Sequence, residues 1–315
     1  MEYINYINSF ANAQAIDDAL SAGTLQRPYT ALDLSTGKVV FGKVLPPEPA
    51  ETRLKITYNF ETTDETMVLA NMRALFHDAP GKAEFPDGTE FNYDPEGVYE
   101  TSDIKYTPST PGIASIYYTF SGDTIGSEED YSLFYSDFEE NSAPVISFEI
   151  PDQVNTIGNV AFGDAPYSAI TIPNHSLTIG NRAFDCTGHI EEGHLVSINN
   201  GENTIPSGSV LCGGTFCGQA ALEEITIGQG VTFGLDADYG DFSFCFSLTS
   251  ITFLDTTPPS VNDNMVIWVS EGEPVVIHVP VGSENAYVDS FNQDCSAYAF
   301  RYVSPGIIEA SEKTE

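Results

Sequence analysis

The sequence predicts a mainly β protein, in which a short N-terminal helix plus hairpin precede a small β-sandwich-like domain and then a repeat solenoid. One observation is a repeat: IPDQVNTIGNVAF begins at Ile150, IPNHSLTIGNRAF begins at Ile172, and eight of thirteen positions agree. A second is the alternation of apolar and polar residues in the middle of the chain, which is the period of a half-buried strand. The expected divisions are residues 1–45, 52–124, 143–304 and a flexible tail over 305–315.

The first module, residues 1–45, contains the predicted helix. Residues 9–23, SFANAQAIDDALSAG, place alanine, isoleucine and leucine on one face, and Gly23 is a suitable stop. The segment PYTALDLSTGKVVFG then predicts a hairpin whose turn lies at residues 35–37. The prolines of VLPPEPAE predict a stiff, extended linker after it.

The domain predicted over residues 52–124 is rich in strands. RLKITYNFE and GIASIYYTFSG alternate in polarity, so one face of each strand should be buried: Leu54, Ile56, Tyr58, Ile116, Tyr118 and Phe120. The stretch DETMVLANMRALF fits a strand or a helix. An acidic bridge follows, and its aromatic cluster is either an exposed contact surface or a buried seam between two domains: Tyr131, Phe134, Tyr135 and Phe138.

Each repeat copy begins with a short strand of alternating apolar residues, and a proline ends it. Gly158 and Gly180 each follow an isoleucine, at a point where a tight turn with a positive φ angle is expected. A phenylalanine then recurs in four copies, and these rings should fill the space between stacked coils: Phe162, Phe184, Phe216 and Phe242. One copy cannot bury its own apolar face, so the copies must share a continuous core.

The spacing of these phenylalanines is irregular, because two copies carry insertions. The extra residues lie in GHIEEGHLVSINNGENT and GLDADYGD. Insertions in a solenoid emerge as loops, often on the binding face. The expected partner contacts are therefore in these loops: His189, His194, Asn199, Asn203, Asp236, Asp238, Tyr239 and Asp241.

The pattern I-P-x5-I-G-x2-A-F, with F-x2-C-x2-L-x2-I-x-F, resembles the BspA-type leucine-rich repeat. The ending is similar to the terminal cap of such arrays, with Val279, Pro280 and Tyr287 at matching places. Ala165 and Gln219 depart from the pattern, since each replaces a cysteine. The resemblance covers roughly half the chain. It implies a non-enzymatic protein that presents its solenoid to a bacterial surface protein or glycan, and a bacterial cell-surface adhesin is one expectation.

The segment NAQAIDDALSAGTLQRPYTALDLSTGKVVFG is similar to N-terminal modules of structural proteins from phages of gut Bacteroidales. This similarity implies a virion component, such as a head or tail fibre or a decoration protein, held to other virion proteins by its N-terminal module. It also implies a homo-oligomer, with a trimer as the expected form. The first twenty residues lack the basic and apolar regions of a Sec signal peptide. We therefore expect location in the virion, with the extracellular cell surface as the alternative.

The charge balance excludes two classes of partner. The chain has 46 acidic and 11 basic residues, and its net charge is −35. Such a surface repels phosphate backbones and anionic lipid, so neither nucleic acid nor a membrane is expected as a partner. The excess of carboxylates serves solubility or attracts a cationic partner or divalent cations.

No enzyme activity is expected, and so no catalytic or cofactor-binding residues are assigned. No serine lies in a nucleophile-elbow pattern, and no glycine-rich phosphate loop precedes a helix. Cys186, His189 and His194 offer zinc ligands; the favoured alternative is a buried repeat cysteine beside an exposed insertion.

Two further motifs leave alternatives open. The loop DADYGD gathers three aspartates, but Ser247 stands where a calcium loop of the EF-hand kind needs a glutamate. That loop is either a calcium site less regular than an EF-hand or a set of solvated charges. Cys212 and Cys217 form a disulfide only if their Cβ atoms face each other, and two reduced thiols are favoured.

Overall fold

The computed structural model describes residues 8–10, 29–33, 38–42, 51–63, 65–71, 75–76, 80–95, 97, 103–126, 132–134, 144–163, 167–186, 195–234, 240–261, 275–295 and 298–312. The chain forms two compact units, Met1–Ala50 and Glu51–Glu315. In the described residues, no helix is long and apolar enough to cross a membrane. The architecture is mainly β, as the sequence predicts.

The N-terminal unit contains a three-stranded sheet of β1 (Asn8–Phe10), β2 (Tyr29–Asp33) and β3 (Lys38–Gly42). Strands β2 and β3 pair antiparallel, so the predicted hairpin is confirmed, while β1 runs parallel to β2. The helix predicted over residues 9–23 is wrong at its start, because β1 takes residues 9 and 10. Its remainder lies outside the described residues.

In its described residues the small domain has six strands, and the ambiguous DETMVLANMRALF stretch supplies the second of them: β4 (Glu51–Phe60), β5 (Met67–Asn71), β6 (Gly81–Glu84), β7 (Glu90–Tyr93), β8 (Asp103–Tyr106) and β9 (Gly112–Ser121). Strands β5 and β8 form a separate pair. The alternation in β4 and β9 places Tyr58 and Tyr118 in the core, where their hydroxyls lie 2.8 Å apart. The hydroxyl of Tyr58 also donates to the carbonyl of Leu69 in β5, which links the two sheets.

The solenoid contributes short strands to two ladders. One ladder is a five-stranded parallel sheet of β10 (Thr124–Ile125), β12 (Thr156–Ile157), β14 (Thr178–Ile179), β17 (Val210–Leu211) and β19 (Thr232–Phe233). The other ladder has two parts. Its first part is β11 (Val145–Glu149), β13 (Ala169–Thr171) and β15 (Ser197–Ile198), and its second part begins with β16 (Thr204–Ile205), β18 (Glu224–Ile227), β20 (Ser250–Phe253) and β21 (Val275–His278).

The four aligned phenylalanines stack through the interior, which confirms the prediction made from their spacing. The centroids of Phe162 and Phe184 are 5.4 Å apart, those of Phe184 and Phe216 are 5.3 Å apart, and Phe242 follows at 6.1 Å. Their planes lie within 12° of parallel. Burying a side chain of this size contributes about 1.5–3 kcal/mol. We call the coils 1 to 4 after these residues, in chain order.

The predicted role of the repeat glycines needs correction. Neither Gly158 nor Gly180 has a positive φ angle; that conformation occurs two residues later, at Val160 and Arg182. A Cβ atom on Gly180 would lie 2.5 Å from the carbonyl carbon of Gly158 in the neighbouring coil. Glycine is required there because two backbones approach closely.

Antiparallel strands cover both ends of the split ladder. Strand β4 pairs with β11 at the N-terminal end, so the small domain and the first coils share one seven-stranded sheet. At the C-terminal end, β21 pairs with β23 (Ile307–Glu312), which also pairs with β22 (Tyr298–Ser304). The flexible tail predicted from residue 305 is therefore wrong, because β23 buries Ile308 and Ala310.

The C-terminal cap also contains a helix, α1 (Glu284–Asp294). Its buried Phe291 packs on Phe253 at 5.8 Å and on Phe300 at 5.1 Å between ring centroids. The carboxylate of Glu284 accepts the backbone N–H groups of Gly282 and Gly306, and these bonds lower the pKa of Glu284. The cap thus closes the end of the array with aromatic packing.

Candidate binding surface

The strand of coil 3 is interrupted on the side of the split ladder. Strand β15 pairs back to β13, and β16 pairs forward to β18, so residues 199–203 separate the two parts. The insertion opens with a 3-10 turn, Asn199–Gly201. It is one of the loops that the sequence assigns to partner contact.

Side chains of two asparagines replace the backbone acceptors lost at this break. The Oδ1 atom of Asn199 accepts the N–H of Ile172 at 2.8 Å, and Oδ1 of Asn203 accepts the N–H of Ile198 at 2.8 Å. Both asparagines have positive φ angles, a conformation that asparagine tolerates better than most residues. Asn203 is buried. The placement differs from the predicted contact role, because both side chains point to backbone groups of the solenoid.

Asp241 differs from its prediction in the same way. Its side chain is only 2% exposed, and Oδ1 accepts the backbone N–H of Thr215 at 3.1 Å. Burial raises the pKa of Asp241, although hydrogen bonds from Thr215 and Gly213 oppose that effect. It links coil 4 to coil 3, and its own carboxylate is not exposed to a partner.

The other predicted contact residues lie outside the described residues: His189, His194, Asp236, Asp238 and Tyr239. The zinc hypothesis depends on two of them, while its third member, Cys186, is buried in coil 2. The calcium hypothesis likewise keeps only Asp241 within the described part. There, no group of three or more histidine, cysteine, aspartate or glutamate side chains could hold a metal ion.

None of the five cysteines, all of which lie in the described part of the chain, is joined in a disulfide, and this includes the pair Cys212 and Cys217. Burial raises the pKa of Cys217 to about 12 and raises that of Cys245 further. The Sγ atom of Cys245 lies 3.2 Å from the carbonyl oxygen of Phe216 in the preceding coil. Since the thiolate is the reactive form, these cysteines act as small core residues.

The aromatic bridge is described only at Phe134 among its four members. That ring is buried and packs on Phe148 of β11, with 5.4 Å between centroids. This contact supports the seam rather than the exposed surface. Tyr131, Tyr135 and Phe138 lie outside the described residues.

A shallow depression beside β19 is lined by apolar residues, including Val231, Phe253 and Pro258. Asp255 supplies its carboxylate, whose oxygens accept the backbone N–H groups of Thr257 and Gly230 at 2.9 Å. These bonds lower the pKa of Asp255. A carboxylate occupied in this way stabilises a turn, and among the described residues that line the depression no second carboxylate, histidine or cysteine accompanies it.

The sequence reasoning missed a partly exposed aromatic pair in coil 4. Phe244 is half-buried, Phe246 is 40% exposed, and their ring centroids lie 6.2 Å apart with planes at 73°. The segment FSFCF was assigned only to the repeat frame. A position-by-position comparison with coil 3, which has glycine and alanine at the same places, is the signal that reveals the pair.

Positive charge is distributed unevenly between the small domain and the solenoid. No lysine or arginine occurs between Arg182 and Arg301. In the small domain, basic side chains already pair with carboxylates: Arg53 with Glu84, Lys55 with Glu149, and Lys82 with Glu84 and Glu90. The solenoid surface after coil 2 is therefore acidic without local cations to neutralise it.

Comparison with known protein families places the repeats in a class. Residues 135–264 match the BspA type leucine rich repeat region in six copies. No curated protein matches the chain. The match covers the coils and the stacked phenylalanines described above, and the pattern agrees with the observed geometry. This part of the chain is a BspA-type leucine-rich-repeat solenoid.

Proposed function

We propose that the protein is a non-enzymatic binding protein of the adhesin type, which presents its solenoid to a bacterial surface protein or glycan. The observation that carries this proposal is the six-copy match to the BspA-type repeat, over a part of the chain that forms a closely packed solenoid. Repeat solenoids create extended surfaces from nearest-neighbour contacts, and such surfaces are used for binding.

The packing supports a rigid presenting surface. The phenylalanine stack and the close backbone contact at Gly180 leave little freedom between neighbouring coils. A surface that is already ordered loses little conformational entropy when a partner binds. Weak contacts repeated along such a surface, or along several copies of the chain, add up to useful avidity.

The ionisable groups of the described residues also favour binding over catalysis. Asp241 and Glu284 accept backbone N–H groups, and the basic residues of the small domain form surface ion pairs. Catalytic sites need titratable groups that converge on one cleft. In the described part of the chain, these groups are instead dispersed in structural roles.

The cellular setting is the finer part of the proposal. A bacterial cell-surface adhesin agrees with the repeat class. The second candidate is a virion component, favoured by the separate compact unit Met1–Ala50, which would hold other virion proteins. In that setting we propose a homo-oligomer, with a trimer as the simplest form for a fibre.

Location separates the two settings. An antibody raised against the full chain would be applied to washed intact cells and to purified phage particles from the same culture. Labelled cells with bare particles support the adhesin, and labelled particles support the virion component. Label confined to the interior of broken cells would contradict both settings.

Binding itself is tested separately with the purified full chain. We expect fluorescently labelled protein to attach to intact bacterial cells in a saturable way, and unlabelled protein to displace it. A failure to attach to any cell or glycan surface would overturn the binding proposal.

A further inference from the structure

Strand β22 is the last strand of its sheet, so one of its two edges has no strand beside it among the described residues. Strand β23 pairs with the other edge and places Ile308 opposite Tyr302. A free edge presents a row of backbone N–H and C=O groups to which a strand of another chain can add. The sequence of β22, YAFRYVS, favours such pairing because it is rich in aromatic residues.

Asn292 of helix α1 occupies part of this free edge. Its Nδ2 atom donates to the carbonyl of Phe300 at 2.7 Å, and its Oδ1 atom accepts the N–H of the same residue at 3.0 Å. In an antiparallel pair of strands, two opposite residues exchange the same two hydrogen bonds. The amide of Asn292 therefore takes the place of one residue of a neighbouring strand.

These bonds also show which backbone groups of β22 point to the free edge. Phe300 directs its N–H and C=O to Asn292, and so it does not direct them to β23. Because successive residues of a strand alternate, Tyr302 points its two groups the same way as Phe300. The ladder then shifts register between Tyr302 and Ser304, which is a β-bulge. Asn292 and the bulge thus interrupt the edge on both sides of Tyr302.

Neither the helix nor the core explains an asparagine at position 292. The residue lies in the last turn of α1, at an exposed position. Asparagine forms helices less well than alanine, and an exposed side chain contributes little to packing. The contribution of its amide is therefore the pair of bonds to the strand edge.

The charge of the chain is not enough to prevent pairing at this edge. Two copies with a net charge of −35 repel each other, but salt screens exposed charges over about 8 Å at physiological ionic strength. Strand β22 contains no acidic residue. Its one charged residue, Arg301, pairs with Glu309 at 2.6 Å. Repulsion is thus weaker at this strand than along the acidic coils, and a local block has a purpose.

We infer that Asn292 covers the free edge of β22 and keeps the C-terminal cap from pairing with the cap of a second copy. Without this cover, the β22 strands of two chains would pair antiparallel about a two-fold axis, the arrangement in which identical surfaces meet. The inference goes beyond the proposed binding function. Any oligomer that the chain forms would use a surface other than this cap.

The test compares the full chain with the variant Asn292→Ala by sedimentation velocity, over a range of protein concentrations in physiological salt. Alanine favours the helix and the position is exposed, so the variant should fold, which circular dichroism checks. The substitution leaves the N–H and C=O of Phe300 open to a second chain. We expect the variant to self-associate at least about tenfold more tightly than the wild type.

Two further variants identify the surface that associates. Adding Tyr302→Pro to Asn292→Ala removes a backbone donor that points to the free edge, so the self-association should be lost again. Tyr287→Phe is the matched control in the same helix. It loses hydroxyl bonds to the carbonyls of Asp255 and Thr257 without uncovering the strand, and it should sediment like the wild type.

Several results would overturn the inference. Unchanged sedimentation of folded Asn292→Ala would show that the edge needs no cover. Association that survives Tyr302→Pro would belong to another surface, and equal association of Tyr287→Phe would reflect a general loss of stability in the cap. Hydrogen exchange of the wild type needs no variant: the amide of Phe300 should be protected, and rapid exchange there would show that Asn292 does not cover the edge.

Discussion

Coils 1 and 2 are joined differently from coils 2 and 3. The first pair repeats after 22 residues, and its ladder consists of backbone hydrogen bonds between β11 and β13 and between β12 and β14. The second pair contains the 199–203 insertion, and the side chain of Asn199 supplies the acceptor for Ile172. The regular joint thus adds a side-chain bond, from the N–H of Asn181 to Oδ1 of Asn159, to an unbroken backbone ladder, whereas the interrupted joint needs side chains to replace ladder acceptors.

The largest expected effect is the loss of a ring shared by both joints. Phe184 stacks on Phe162 and on Phe216, so Phe184→Ala should lower the free energy of unfolding by about 3–5 kcal/mol. Urea denaturation followed by circular dichroism measures this change. Phe246→Ala removes an exposed ring and should change stability by less than about 0.5 kcal/mol. Equal losses in the two variants would contradict the stacking account.

The regular joint is tested next by adding one methyl group. In Gly180→Ala the new Cβ would meet backbone atoms of coil 1, so overpacking should cost about 1–3 kcal/mol. Gly88→Ala in the small domain has open space around its Cβ but a φ angle of +82°, and should cost about 1–2 kcal/mol through strain alone.

The two glycine variants also separate the causes. The new Cβ of Gly88→Ala meets no atom within 4 Å, so its effect should stay at that residue. The new Cβ of Gly180→Ala meets the backbone of Gly158, so it should disturb the contact between the two coils. Hydrogen exchange of the amide of Gly180, which donates to the carbonyl of Ile157, reports that disturbance. Unchanged protection at this amide would show that the coils do not touch as described.

The interrupted joint is tested at Asn203. Asn203→Ala removes the acceptor of the Ile198 N–H and should cost about 1–3 kcal/mol, because a buried donor is left unsatisfied. Asn203→Asp keeps an acceptor and tolerates a positive φ angle, so it should lose less. If both variants lose the same amount in thermal unfolding, the side-chain acceptor is not the reason for asparagine here.

The smallest effect concerns Asp241 and depends on pH. Burial raises its pKa above the ordinary value of 3.8, so the folded state holds the proton more tightly than the unfolded state. Its contribution to stability is complete at acidic pH and is lost as pH rises through the raised pKa. Asp241→Asn should therefore gain stability relative to the wild type between acidic and neutral pH. A constant difference across that range would contradict this account.

The sequence predicted the coils well, because each position of the repeat has the same structural role in every copy. The spacing of Phe162 and Phe184 identified the stack, and the alternation around Tyr58 identified a buried strand face. The task of Gly180 was misjudged, since sequence alone does not distinguish a positive φ angle from a close backbone contact. Strand β23 was missed because its polar residues resemble those of a flexible tail. Its alternation buries Ile308 and Ala310 only because the strand pairs with β21.

The candidate surface was harder to predict than the fold. Insertions indicated where loops emerge, but Asn203 and Asp241 turned out to stabilise the loops from inside. A polar side chain in a loop forms hydrogen bonds either with a partner or with the loop's own backbone, and its burial indicates which. Phe244 and Phe246 were overlooked because an aromatic residue in a repeat is ordinarily assigned to the core.

The absence of lysine and arginine between Arg182 and Arg301 has a consequence for proteolysis. Trypsin cleaves after these two residues, so it leaves residues 183–301 in one piece whether that segment is folded or unfolded. Survival of this fragment says nothing about its conformation. A protease that cleaves after aromatic residues behaves differently, since the stacked phenylalanines are protected only while the coils hold together. Its rate of cutting would report directly on the integrity of the solenoid.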